Sequence, residues 1–83
     1  MAKNTDNYTK AQLANLGNRL KEVRRVKGYT NYEQFAFDHE IPRAQYGRYE
    51  KGQDLRFSSL IKLLKAFDIS LKEFFSKGFE EDL

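Results

Sequence analysis

The sequence predicts an all-α fold, a compact bundle of five helices, on three observations. Apolar residues recur at three- and four-residue spacing in successive stretches of the chain. Capping residues and glycines stand where such helices would begin and end. Nowhere do apolar and polar residues alternate as a half-buried strand requires.

Residues 1–8 are polar and aperiodic, and read as a flexible N-terminal arm. A first helix is predicted from Thr9, where Leu13, Leu16, Leu20 and Val23 make one apolar stripe. Gly28, after Lys27, is its stop. Asn31 with Gln34 three residues on is a capping-box pattern that opens a second helix to about His39, with Phe35 and Ala36 facing the core. Glu40-Ile41-Pro42-Arg43 is then a short turn in which Ile41 is an apolar anchor. Pro42 sits where its missing N–H does no harm. The third helix runs from Arg43 to about Glu50, with Tyr46 and Tyr49 inward, Arg43, Ala44, Gly47 and Arg48 outward, and Gly52 closing it. After a loop over 53–57, Ser58 is predicted to cap a fourth helix carrying Leu60, Leu63, Leu64 and Phe67. Ser70, with Glu73 at the third position, caps a last helix whose apolar face is Leu71, Phe74 and Phe75. One helical domain over 9–76 and an acidic C-terminal tail over 77–83 complete the division.

The 83 residues have room for one modest core, and seven Phe and five Tyr supply bulk for it. The absence of cysteine excludes a disulfide scaffold and thiolate metal sites. No apolar run approaches the roughly 20 residues of a membrane span, and the polar opening has no signal-peptide core. A soluble, cytoplasmic protein without membrane contact is expected. A single His, no glycine-rich phosphate loop and no framed acid pair argue against an enzyme, and Glu80-Glu81-Asp82 lacks ligand geometry for a metal. No cofactor is implied. The net charge is +3, but residues 1–65 carry thirteen Lys/Arg against seven Asp/Glu, while residues 66–83 carry two against five. A basic body with an acidic tail suits a polyanion partner for the body.

Two short helices joined by a tight turn, the second studded outwardly with Arg and small residues, form a helix-turn-helix arrangement. Residues 16–75 resemble the phage-repressor (XRE-type, Cro/repressor-like) DNA-binding family. The resemblance is carried by LGNRLKEVRRVKG, NYEQFAFDHEI, PRAQYGRYEKG and SSLIKLLKAFDISLKEFF. Its most specific pieces are Phe35-Ala36, Ile41 five residues later, and Tyr49-Glu50-Lys51-Gly52. It implies a lambda-repressor-like bundle that binds double-stranded DNA as a transcriptional regulator, a repressor by expectation. Arg43, Ala44, Gly47 and Arg48 would then reach base edges in the major groove. Asn31, Tyr32, Gln45, Lys51, the Gly52 amide and Arg56 would grip phosphates, and Arg24 with Glu50 would form a structural ion pair. The chemistry agrees, since Arg donates bidentately to guanine while Ala and Gly allow close approach to a thymine methyl. Three departures stand out. Tyr32 replaces the usual Gln, Thr30 is an extra residue, and the loop Gln53–Arg56 is one residue short and lacks the usual Pro.

Arg19, Lys21, Arg25 and Lys27 read as an ordinary polar face, and His39 as a partly buried, hydrogen-bonded side chain. Phe37 has no evident buried place. Leu71, Phe74, Phe75 and Phe79 are more apolar surface than one terminal helix hides, which favours a homodimer seam there. The rival reading is an interaction module, such as an antitoxin-like protein, binding an unidentified protein partner.

Overall fold

The computed structural model describes residues 6–79, and within them the chain folds into five helices and no strand. Helix α1 spans Asn7–Val26, α2 Tyr32–Asp38, α3 Arg43–Glu50, α4 Phe57–Phe67 and α5 Leu71–Phe74.

Helix α1 begins earlier than the sequence suggested. Asp6 caps it by accepting from the Thr9 amide at 2.7 Å, so Asn7 and Tyr8 are helical rather than part of an arm. Residues 1–5 of the expected arm lie outside the described residues. The helix ends as predicted, with Gly28 at φ 102°, a left-handed conformation that favours glycine. There the Tyr29 amide donates back to the Arg24 carbonyl at 3.0 Å. Of the α1 stripe, Leu20 and Val23 are fully in the core while Leu13 and Leu16 are only partly buried.

The core gathers one apolar face from each helix: Leu20 and Val23, Phe35 and Ala36, Tyr46 and Tyr49, Leu60, Leu63, Leu64 and Phe67, and Phe74. Phe35 is its centre. Its ring stacks on Phe67 at 4.2 Å between centroids and meets Tyr46 at 5.1 Å and Tyr29 at 5.3 Å. Truncating such a ring to alanine typically costs about 3–5 kcal/mol, so Phe35 joins α2, α3 and α4 as a single unit.

Between α2 and α3 the chain turns through Glu40, whose φ of 56° is left-handed. The Ile41 amide closes the turn on the Ala36 carbonyl at 2.8 Å. His39 does not take the partly buried place expected of it. It is exposed, and its ring lies 4.8 Å from that of Phe35, as an edge of the core rather than a member.

The fourth helix starts one residue before Ser58. Arg56 is its N-cap, no side chain caps it, and Phe57 is its first residue. Ser70 does cap α5, accepting from the Glu73 amide at 3.0 Å. That helix has only one turn, and beyond it Phe79 folds back, partly buried against the core. Phe79 of the expected tail thus packs on the body, and residues 80–83 lie outside the described residues.

Candidate nucleic-acid interface

Helix α3 divides cleanly into two faces. Tyr46 is fully buried and Tyr49 nearly so, which turns Arg43, Ala44 and Arg48 outward, where all three are exposed. Ala44 and Arg48 are one helical turn apart and share a line along the helix.

What fixes this face is the pair of Arg24 from α1 and Glu50 at the end of α3. The Arg24 Nε donates to Glu50 Oε2 at 2.7 Å and Nη2 to Oε1 at 3.0 Å, a two-pronged contact. The remaining Nη1 donates to the Tyr29 carbonyl at 2.9 Å. The side chains are only 4% and 7% exposed. The hydrogen bond to Glu50 holds the Arg24 guanidinium above its already high ordinary value, so the charge is permanent. Beside this pair the Tyr46 hydroxyl is buried without a hydrogen-bond partner among the described residues. Burial, with Glu50 next to it, pushes that phenol upward and keeps it neutral.

The residues implied as phosphate contacts fare differently. Lys51, the C-cap of α3, and Arg56, the N-cap of α4, are both exposed. Asn31 is exposed, but its Oδ1 accepts from the Gln34 amide at 2.8 Å and is engaged as the cap of α2. Gln34 does not complete the capping box. It donates instead to Asp38 at 2.8 Å. Gln45 donates to the Tyr49 hydroxyl. Gly52 takes the left-handed φ of 98° expected of a helix stop, but its N–H donates to the Tyr49 carbonyl at 3.1 Å rather than standing free.

Two positions need correction. Gly47, expected to face outward, is buried, because the ring of Tyr32 lies across it. The sequence shows a small residue at that place but not what fills the space beside it. Phe74, expected in the dimer seam, is 0% exposed and belongs to the core. Leu71 and Phe75 are 40% and 43% exposed, and Phe79 is half-buried. Together with Phe57, the rings of Phe75 and Phe79 line an apolar groove of about 350 Å³, floored by Leu13, Leu16 and Leu55.

A helix-turn-helix family model matches residues 20–74, a stretch that contains both helices of the motif and the core that carries them. The chain belongs to the phage-repressor (XRE-type) helix-turn-helix family. Among solved structures it is similar to the restriction-modification controller protein C.AhdI from Aeromonas hydrophila. The two are 35% identical with a TM-score of 0.69, over 78% of this chain and 98% of that one. No curated protein matches. This helix-turn-helix protein is a sequence-specific DNA-binding transcriptional regulator.

The regulator also contains a buried cation that the sequence did not reveal. Arg19, expected on a polar surface, is 6% exposed. Its Nε donates to the Phe74 carbonyl at 2.6 Å and its Nη2 to the Glu73 carbonyl at 2.8 Å, while the guanidinium lies 5.5 Å from the Phe74 ring centre. Nη1 meets Glu22 at 2.9 Å. Among the described residues no group of acidic, His or Cys side chains is placed to hold a metal. Among the same residues no helix is long and apolar enough to cross a membrane.

Proposed function

We propose that the regulator lays α3 in the major groove of duplex DNA, with Arg43, Ala44 and Arg48 meeting base edges. Lys51 and Arg56 flank them on the phosphates. The observation that carries this reading is the fixed outward face of α3: two exposed guanidinium groups and a methyl, held from behind by the buried Arg24–Glu50 pair. Arg43 opens the helix, and the opening residues of a recognition helix sit deepest in the groove. Selection of bound sequences from random duplex DNA tests it. Arg43→Ala should cost roughly 1–3 kcal/mol on the preferred site and flatten preference at one base position. An unchanged sequence profile would remove Arg43 from the readout.

A single short helix gives thin discrimination, and two-fold pairing would double the contacts and make the target an inverted repeat. We assign the pairing surface to Leu71, Phe75, Phe79 and the neighbouring Phe57, where exposed apolar side chains adjoin the groove. Phe75→Asp should lower both dimerisation and operator affinity with helical content kept. A wild-type monomer in sedimentation at high micromolar concentration, bound one-to-one to a half-site, would end this assignment. Similarity to a restriction-modification controller makes promoters of such genes the first targets to try, with repression the expected sign and the cytoplasm the expected compartment.

A further inference from the structure

Gly47 follows Arg43 by four residues on α3, so the two share one line along the helix. Arg43 is exposed on that line and Gly47 is not. What covers it is Tyr32, the first residue of α2. A Cβ on Gly47 would stand 2.8 Å from the Tyr32 Cε1, 2.9 Å from Cζ and 3.0 Å from the hydroxyl oxygen. These separations are too short for any side chain to share the space. The Tyr32 ring is steadied from behind by Tyr46, at 6.2 Å between centroids. Its hydroxyl makes no hydrogen bond among the described residues, and the residue is half-buried.

The phenol thus occupies the volume into which a side chain at position 47 would project, one turn along from Arg43. A donor held there is satisfied by water in the free protein. With the α3 face pressed into a groove, it needs an acceptor on the DNA or remains unpaired at a cost. We infer that Tyr32 reads a base edge in place of residue 47, its O–H donating to a base acceptor, and that Gly47 is the positioning residue that makes room for the ring. The inference rests on α3 entering the major groove and departs from the phosphate role that the family resemblance implies for Tyr32.

Binding of purified variants to the duplex selected by the wild type, and to its single-base-pair changes, tests this. Tyr32→Phe removes the donor and leaves the ring. It should reduce preference at one base pair, next to the one lost in Arg43→Ala, by roughly five- to tenfold, the worth of one hydrogen bond. Gly47→Ala should drive the ring aside and flatten the same base pair, and should add nothing in a Tyr32→Ala background. Melting of Gly47→Ala should stay near or above wild type, since alanine suits a helix better than glycine and only a side-chain tip must move. In the free protein, the Gly47 α-protons should show ring-current shifts that vanish in Tyr32→Ala. Uniform weakening by Tyr32→Phe on every sequence would overturn the inference, since a phosphate contact behaves so. So would a Gly47→Ala effect that is the same in both backgrounds, or unshifted Gly47 protons. If Arg43→Ala also leaves the profile untouched, the groove reading itself has failed. If only the Tyr32 and Gly47 variants do, the failure belongs to this inference alone.

Discussion

Helix α1 carries two buried arginines five residues apart, and they hold different halves of the molecule by different chemistry. Arg24 meets a carboxylate, so its charge is neutralised by Glu50 and the pair fastens α3 to α1. Arg19 meets main-chain carbonyls of Glu73 and Phe74 at the C-terminal end of α5, with the half-exposed Glu22 as its only anionic contact among the described residues. A cation at a helix C-terminus bonds to carbonyls of the last turn and opposes the negative end of the helix dipole. Of the two here, the Glu73 carbonyl also accepts from the Ser76 amide at 3.2 Å and the Ser76 hydroxyl at 2.7 Å. The DNA-binding half is thus pinned by a side-chain pair and the apolar C-terminal half by a side chain on backbone. Removing the first strands a partner charge, whereas removing the second strands no more than the Phe74 carbonyl dipole, since Ser76 still donates to Glu73. The two should therefore fail differently.

The larger failure belongs to Arg24. Arg24→Met leaves the Glu50 carboxylate buried and unpaired, at a cost of roughly 3–5 kcal/mol. Arg24→Met with Glu50→Met removes both charges and should recover much of that loss. Chemical denaturation of the two variants and the wild type measures both. A single variant that unfolds within a fraction of a kcal/mol of wild type would show that water reaches the pair, and would overturn the ranking of Arg24 above Arg19.

The same contrast governs what could be read from the sequence. Arg24 and Glu50 were legible because each names a residue of opposite charge within a recognisable family pattern. Arg19 was not, because its partners are carbonyl oxygens, which every residue carries and no letter distinguishes. The fold class, the order of five helices, the stops at Gly28 and Gly52 and the cap at Ser70 follow from local signals, and the structure repeats them. Helix starts were less legible where an ordinary residue does the capping. Asp6 lies inside a stretch that looks like a polar arm, and Arg56 caps α4 with no side-chain bond at all. Of the site, the exposed Arg43, Ala44 and Arg48 emerge from helical periodicity alone. Gly47 did not, because its burial depends on Tyr32 crossing from another helix. Phe74 failed for the related reason that periodicity marks an apolar face without saying what packs on it.

Arg19→Met should cost less than the loss of Arg24. The hydrogen bond to the Phe74 carbonyl is buried, and losing a bond to a charged donor costs about 1.5–3 kcal/mol. The methionine stem keeps part of the packing on the Phe74 ring. The damage should also be local. Hydrogen exchange at the Phe74 and Phe75 amides, which bond to Ser70 and Leu71, should quicken before exchange in α2 and α3 does. Equal quickening throughout would mean that Arg19 supports the whole core, and the division into two halves would break.

The smallest effect tests whether the Arg19 site uses charge at all. Glu22 is 44% exposed and receives Arg19 at 2.9 Å and Lys77 at 3.4 Å. The hydrogen bond from Arg19, with help from Lys77, holds its carboxyl below the ordinary value of 4.5. A carboxylate whose folded value lies below its unfolded one stabilises the fold above the unfolded value, and that contribution is lost as the pH falls through the folded one. Exposure and salt screening limit it to a few tenths of a kcal/mol, about 1 at most. Glu22→Gln should therefore melt slightly below wild type at neutral pH and low salt. The gap should close as the solution is acidified below the ordinary carboxyl range, and also when salt is added at neutral pH. A gap that persists in acid would mean that Glu22 acts by shape or packing rather than charge. No gap at any pH would leave Arg19 held by the Glu73 and Phe74 carbonyls alone, which is the sharpest form of its contrast with Arg24.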